Sequence, residues 1–309
     1  MLKLLLIFGV ILADNVYSQR VSTADEQFRQ PGEISQKKCR EYSSHVQEKN
    51  DCGHKIVKRI VGGERAGRTE FPHMVRIGYS SKRANTRVWL CGGSLISEQY
   101  ILTTASCLST VNKDAEVVVL GVTNLNDTDH KQEIKIAEKI IHPKFKRRSF
   151  YDDIGLIKLE RPIEIDSYIR PACLYSNSQI RVEKAIATGW GKTDDNLTHV
   201  LSDDLHKVTL DIIDNDFCTK SLMNKNLPDG IRNDTQVCTG GDTEGRDTCT
   251  GDAGGPLQIY HSEGDILCVY DVIGVTSFGR TTCRGEASVY TRVSYYLKWI
   301  EDIVWPESS

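Results

Sequence analysis

Short apolar segments, separated by turn-forming residues, recur along the chain from Ile60 onward. They fall at Val88–Leu90, Tyr100–Thr103, Glu116–Leu120, Ile154–Ile157, Leu205–Ile213, Val272–Thr276 and Val289–Val293. Segments of this length and spacing are typical of β-barrels, whereas alternating strand and helix patterns would indicate a parallel sheet. The pattern therefore predicts an all-β domain over residues 60–309.

The last apolar positions follow a different period. Val293, Leu297, Ile300 and Val304 recur at helical spacing and fall near one face. Ser294 lies at the start of this pattern and is a candidate N-cap. We therefore expect a helix at the C-terminal end of the domain.

The N-terminal part of the chain has two segments of contrasting character. Residues 4–12 form an apolar run after one early lysine, and small residues lie near Ser18. This run is too short to cross a bilayer and is typical of a secretory signal peptide. Residues 19–59 are polar, lack a sustained apolar period and cannot bury enough surface to fold alone. We expect a signal peptide over residues 1–18, a largely irregular prosegment or light chain over 19–59, and a secreted, extracellular protein.

Composition agrees with an extracellular protein. The chain has ten cysteines, and disulfides persist outside the cell. Three Asn-X-Thr triplets, at Asn126, Asn196 and Asn233, are candidate glycan acceptors there. The net charge of -3 gives no electrostatic argument for nucleic acid or for an acidic membrane surface. No metal or cofactor is expected, because the sequence contains no CxxC or HxxxH cluster.

Six motifs carry a resemblance to a known family. They are RIVGG (59–63), LTTASC (102–107), DDIGLIKL (152–159), TGWG (188–191), DTCTGDAGGP (247–256) and TSFG (276–279). In order and spacing they resemble the trypsin/chymotrypsin family of serine proteases over residues 60–309. The resemblance implies two six-stranded antiparallel Greek-key barrels with a C-terminal helix.

The residues of the family's catalytic triad are only partly present. Serine proteolysis needs a nucleophilic hydroxyl, an imidazole base and a carboxylate that orients the imidazole. The resemblance places the carboxylate at Asp153, but it places Ser106 where the imidazole belongs and Ala253 where the nucleophile belongs. His73 and His142 fall where the family has no catalytic group, so we interpret both as structural or surface residues. Loss of triad members costs about a millionfold in turnover, so the motif predicts an inactive homologue.

Other parts of the family's machinery are retained in the sequence. The backbone N–H groups of Gly251 and Ala253 need no side chain to form an oxyanion hole. The resemblance also implies cleavage between Arg59 and Ile60 by a trypsin-like protease. The new α-amino group of Ile60 would then pair with Asp252, and this buried ion pair would organise the cleft.

The specificity pocket that the resemblance implies differs at one position. Asp247 would lie at its base and pair with a Lys or Arg side chain. Ser277, Phe278 and Gly279 would form one wall. Ser288 stands where the family usually has glycine, so its side chain narrows the pocket; whether it closes the pocket is left open.

The resemblance also implies a set of disulfides. These are Cys91–Cys107, Cys218–Cys238, Cys249–Cys283 and Cys52–Cys173, the last holding the light chain after cleavage. Cys39 and Cys268 are then left over. The economical hypothesis pairs them with each other, and the alternative is an intermolecular bridge.

These features predict a secreted, catalytically inactive homologue that acts as cofactor, adaptor or decoy in an extracellular proteolytic cascade. Its partners would be an upstream activating protease and another protease, a protein substrate or an inhibitor. The prosegment and the TSFG motif resemble protease homologues of arthropod cascades, although two prosegment cysteines are too few for a full clip module. Two alternatives stay open: an active trypsin-like endopeptidase with a non-standard catalytic arrangement, and a secreted surface-recognition or reproductive-fluid protein.

Overall fold

The computed structural model describes residues 30–44, 64–81, 86–192, 201–240, 251–261, 269–279 and 287–306. The strands, in chain order, are β1 (Glu64–Arg65), β2 (Met74–Ser81), β3 (Arg87–Leu95), β4 (Tyr100–Thr103), β5 (Lys113–Leu120), β6 (Gln132–Ile141), β7 (Gly155–Leu159), β8 (Cys173–Leu174), β9 (Lys184–Gly189), β10 (His206–Ile213), β11 (Gln236–Gly240), β12 (Pro256–Tyr260), β13 (Tyr270–Gly279) and β14 (Ser288–Arg292). The helices are α1 (Glu33–Ser43), α2 (Ala105–Leu108), α3 (Asn215–Leu222) and α4 (Leu297–Val304), with a 3₁₀ turn at Val293–Tyr296.

The strands form two closed antiparallel barrels of six strands each, as the family resemblance implies. The first closes in the order β2-β3-β4-β7-β6-β5. The second runs β9-β10-β11-β14-β13-β12 and is closed by the pairing of β12 with β9. β1 pairs with β10, and β8 lies parallel to β13. Within the described ranges, no helix has both the length and the apolar character needed to span a membrane.

Apolar side chains from both barrels meet in one cluster, which the C-terminal helix completes. Leu102 and Leu156 of the first barrel pack there with Val272 and Val275 of the second. The four predicted helix positions join them and are at most 7% exposed: Val293, Leu297, Ile300 and Val304. The predicted N-cap is wrong, because Ser294 lies inside the 3₁₀ turn and the α-helix begins only at Leu297.

Helix α1 lies within the segment that the sequence predicts to be largely irregular. The buried carboxylate of Glu301, on α4, accepts hydrogen bonds from the N–H groups of Gly32 (3.1 Å) and Ser35 (2.8 Å) at the start of α1. The hydroxyl of Tyr42 donates to Glu98 (2.9 Å). A carboxylate at a helix N-terminus satisfies free N–H groups and complements the helix dipole. Contacts with the domain therefore stabilise α1, whose polar sequence would not fold alone.

The disulfides correct two predicted pairings. The structure joins Cys39 to Cys173, so the predicted Cys52–Cys173 and Cys39–Cys268 pairs are both wrong. The prediction assigned Cys173 to the cysteine nearest the cleavage site, whereas the capped helix α1 buries Cys39 against β8. The structure also contains the Cys91–Cys107 and Cys218–Cys238 bonds that the resemblance implies. Cys52, Cys249, Cys268 and Cys283 lie outside the described residues, so Cys249–Cys283 stays a prediction.

A buried ion pair anchors the segment that follows the predicted cleavage site. The ammonium of Lys207, on β10, lies 2.6 Å from Glu70 Oε1, and the two side chains are 7% and 5% exposed. The other carboxylate oxygen of Glu70 accepts a hydrogen bond from the N–H of Gly67 (2.8 Å). Together with the β1–β10 pairing, this interaction fixes residues 64–70 against the second barrel.

Candidate functional site

Asp153 lies at the junction of the two barrels, two residues before the start of β7. Its Oδ1 accepts a hydrogen bond from the backbone N–H of Ser106 (2.7 Å). Its Oδ2 accepts from the hydroxyls of Ser106 (3.0 Å) and Ser277 (2.6 Å). Ser106 belongs to α2 of the first barrel and Ser277 to β13 of the second. The carboxylate is 3% exposed, so it ties the barrels together from a buried position.

Ser106 is held by a short capped helix. Thr104 is the N-cap of α2, and its hydroxyl accepts from the N–H of Cys107. Ser106 Oγ lies 3.1 Å from Thr104 Oγ1 as well as near Asp153. The Cys91–Cys107 disulfide fixes the helix against β3. A hydroxyl therefore contacts the carboxylate at the position where the sequence resemblance expects an imidazole.

Burial raises the pKa of Asp153 above its usual range. The hydrogen bonds from Ser277 and Ser106 act in the opposite direction, because they stabilise the ionised form, but burial is the larger effect. Within the described residues, the hydrogen-bond donors to the Asp153 carboxylate are hydroxyl and backbone N–H groups. A serine hydroxyl is too weak a base at neutral pH to replace an imidazole in proton transfer.

This pKa shift predicts a pH dependence of stability. The folded state binds the Asp153 proton more tightly than the unfolded chain, so the free energy of unfolding contributed by this group falls as pH rises above about 4. The fall ends once pH has passed the raised pKa of the folded state. We expect the wild type to lose stability relative to Asp153→Asn over that window in urea unfolding at several pH values. The control is Asp302→Asn, which removes an exposed carboxylate. A stability advantage of the wild type over Asp153→Asn that grows with pH would contradict the prediction.

Ala253 lies in a glycine-rich loop that is tightly fixed by backbone hydrogen bonds. Its carbonyl accepts from the N–H of Gly92 (2.8 Å), and the N–H of Gly254 donates to Thr276 (2.8 Å). Gly254 has φ +82°, and a Cβ there would lie 2.3 Å from Thr103 Oγ1. Only glycine fits this turn. The loop therefore presents a methyl group on a rigid backbone, and the oxyanion role of Gly251 and Ala253 stays a prediction.

The carboxylate of Asp252 occupies a space that two glycines provide. Its Oδ1 accepts a hydrogen bond from the N–H of Gly191 (2.8 Å). A Cβ on Gly189 would lie 2.0 Å from the same oxygen, and a Cβ on Gly191 would lie 2.5 Å from Oδ2. The glycines of the TGWG motif are therefore needed to admit Asp252. Arg59 and Ile60 lie outside the described residues, so their cleavage and the Ile60–Asp252 ion pair stay predictions.

The predicted pocket wall lies on neighbouring strands. Ser277, Phe278 and Gly279 end β13, and Gly279 pairs with Ser288 at the start of β14. Ser288 is 2% exposed, and a Cβ on Gly279 would lie 2.8 Å from Ser288 Oγ. The Ser288 hydroxyl thus lies against the wall. Asp247 lies outside the described residues, so its place at the pocket base stays a prediction.

Phe150 is a site residue that the sequence interpretation missed. Its ring stacks on that of Phe278, with centroids 4.1 Å apart and an interplanar angle of 15°. Both side chains are half-buried. The run KFKRRSF, directly before the Asp153 motif, is the signal that could have drawn attention to it.

The two histidines interpreted as structural or surface residues are engaged in aromatic packing. His73 is 1% exposed between Phe71 and Tyr270, and burial lowers its pKa to about 3. The ring of His142 packs edge-on against Tyr296 and Trp299, and burial lowers its pKa as well. Both positions suit a neutral structural histidine.

The candidate glycan acceptors lie at the surface wherever the structure describes them. Asn126 and Asn233 are exposed, and Asn196 lies outside the described residues.

Four candidate metal ligands lie within 4.8 Å of one another: Cys39, Cys173, His261 and Asp271. The two sulfur atoms form a disulfide, however, whereas metals are bound by thiolates. This cluster therefore does not provide a metal site.

Comparison with known proteins matches the Trypsin family over residues 60–300. The chain is 37% identical to serine protease snk of Drosophila melanogaster, over 89% of this chain and 66% of that protein. It is 34% identical to melanization protease 1 of Drosophila melanogaster, over 82% of this chain and 68% of that protein. It is 33% identical to clotting factor G beta subunit of Tachypleus tridentatus, over 83% and 84% of the two chains. The double barrel, the motifs it positions and these matches lead to one conclusion: the chain belongs to the trypsin family.

Proposed function

We propose that this protein is a secreted, catalytically inactive trypsin homologue that binds a protein partner as cofactor, adaptor or decoy in an extracellular proteolytic cascade. One observation carries the proposal: Asp153 is hydrogen-bonded to a serine hydroxyl, and a methyl group occupies the nucleophile loop. Neither group can perform its part of acyl transfer.

The preserved scaffold supports a binding role. The Ala253 loop is held by hydrogen bonds to both barrels, through Gly92 and Thr276. A rigid loop of this kind can hold a peptide carbonyl in the ground state through backbone N–H groups, without chemistry. Relatives named for melanization and for clotting support a role in a cascade. The signal-like N-terminus, the disulfides and the glycan triplets support secretion.

Activation by cleavage is part of the proposal. A trypsin-like protease cuts after Arg59, and the freed amino group of Ile60 pairs with Asp252. Tryptophan fluorescence and partner affinity are then expected to change after the cut. A verified cut that changes neither would contradict this part alone.

A serine-directed phosphonate tests the inactive status, with trypsin as the positive control. We expect no covalent label before or after cleavage at Arg59, because no nucleophilic hydroxyl occupies the loop. Labelling of this loop would instead favour the active-endopeptidase alternative. Affinity capture from the source fluid with the cleaved form separates a cascade partner from a surface or glycan ligand.

A further inference from the structure

The loop between β6 and β7 carries an exposed run of positive charge. Its four cationic residues are Lys144, Lys146, Arg147 and Arg148. Two backbone hydrogen bonds fix its shape, from Phe145 to His142 (3.0 Å) and from Ser149 to Lys146 (2.8 Å). Among the ion pairs of the described residues, none involves these four cations. The positive charge is therefore local and uncompensated on a chain whose net charge is -3.

The same loop is anchored at the candidate site. The N–H of Phe150 donates to the carbonyl of Asn226 (3.1 Å), and the side chain of Gln236 donates to the carbonyl of Phe150 (3.0 Å). The ring of Phe150 stacks on Phe278, and the neighbouring Ser277 donates to Asp153. The cations thus lie beside a half-buried aromatic surface that adjoins the site.

Three acidic side chains near the loop are engaged elsewhere. Asp152 accepts a hydrogen bond from the hydroxyl of Tyr296 (2.9 Å), and Asp229 pairs with Arg232 (2.8 Å). Asp153 is buried and hydrogen-bonded. None of these three carboxylates pairs with the four loop cations, which are exposed to solvent.

The segment after α3 carries a further exposed apolar side chain and a further exposed cation. Met223 is 58% exposed and Lys225 is exposed, while Asn226 in this segment holds Phe150. An exposed apolar side chain and a further cation therefore lie on the segment that holds Phe150 in place. A ligand that carries both acidic and apolar side chains matches this pattern.

We propose that this surface binds an acidic segment of a protein partner; we name it the cationic rim and define it as Lys144, Lys146, Arg147, Arg148, Phe150 and Phe278. Carboxylates of the segment pair with the cations, and an apolar side chain packs on the two phenyl rings. A sulfated polysaccharide offers charge but no apolar side chain for the rings. The inference rests on the proposed function, since a segment bound here is retained rather than cut.

Fluorescence anisotropy with labelled twelve-residue peptides tests the cationic rim on the full chain, before and after cleavage at Arg59. The probes are a peptide of Glu and Asp around one Phe, its Gln and Asn analogue, and the acidic peptide with Phe→Ala. We expect the acidic peptide to bind at least about tenfold more tightly than the amide analogue, and its affinity to fall with salt. Loss of the Phe is expected to weaken binding about fivefold.

Charge reversal identifies the residues responsible. Lys146→Glu, Arg147→Glu and Arg148→Glu together are expected to weaken binding of the acidic peptide about tenfold or more. The matched control reverses three exposed cations outside the cationic rim. They are Lys135 on β6, Arg161 just after β7 and Arg181 just before β9. This control is expected to change affinity less than twofold. Thermal unfolding checks both proteins, and Arg148→Glu alone replaces the triple variant if the triple is unstable.

Three results would overturn the inference. They are equal affinity for the acidic and amide peptides, equal losses in the two triple variants, and binding of low-molecular-weight heparin without binding of the acidic peptide. A further probe, the acidic peptide with one central Arg, distinguishes failure of the cationic-rim proposal from failure of the proposed function. Its cleavage would contradict inactivity, whereas the affinities alone decide the cationic rim.

Discussion

Ser106→His and Ala253→Ser, introduced together, are expected to raise hydrolysis after Lys or Arg about a thousandfold above the unmodified protein. This recovery is partial, because removing an intact triad costs about a millionfold. Each single substitution is expected to have almost no effect, since base and nucleophile act as a unit. The structural reason is that Asp153 already holds residue 106 from the buried junction of the barrels.

The measurement is release of a chromogenic amide by each variant after a verified cut at Arg59. The matched control adds Asp153→Asn to the double variant, and this is expected to return the rate to that of the unmodified protein, because loss of this carboxylate costs even an intact triad about ten-thousandfold. If the double variant has no activity, Ser288→Gly is added to it. Activity in this triple variant would indicate that Ser288 closes the pocket, whereas continued inactivity would indicate a distorted loop and contradict a preserved cleft.

Glu70→Gln is expected to lower the free energy of unfolding by about 3–5 kcal/mol, because it leaves the ammonium of Lys207 buried without a carboxylate. The two side chains are nearly inaccessible, so water cannot replace the lost charge interaction. Combining Glu70→Gln with Lys207→Met is expected to recover most of the loss, since the pair balances attraction against desolvation. Urea unfolding of the two single variants and the double variant measures the coupling between these positions.

The exposed pair of Lys298 and Asp302 provides the control for this prediction. Its side chains are 73% and 54% exposed, and Asp302→Asn is expected to cost less than about 0.5 kcal/mol. A cost below about 1 kcal/mol for Glu70→Gln would contradict a buried-pair role. Because the pair anchors residues 64–70, its loss is also expected to loosen the segment that follows Ile60.

The sequence predicts the barrels well because local pattern and motif order carry that information. The apolar segment Tyr100–Thr103 coincides with β4, and the predicted face of the C-terminal helix is buried. Helix α1 and the Cys39–Cys173 bond could not be predicted in this way. Both depend on Glu301, a residue far along the chain whose carboxylate caps α1. Such long-range contacts leave no local period in the sequence.

The candidate site shows the same division. The motifs identify Asp153, Ser106 and Ala253, because each position is fixed by its neighbours in the sequence. The stack of Phe150 on Phe278 joins two distant segments, and only the fold brings their rings together. The cationic loop likewise becomes meaningful only when hydrogen bonds place it beside those rings.

The proposed absence of proteolytic activity is tested most directly by incubating an Arg-containing peptide with rigorously purified protein cleaved at Arg59. The comparison is the Asp153→Asn variant treated in the same way. The account predicts that the peptide is recovered intact from both proteins over days. Hydrolysis by the unmodified protein that disappears in the Asp153→Asn variant would contradict it.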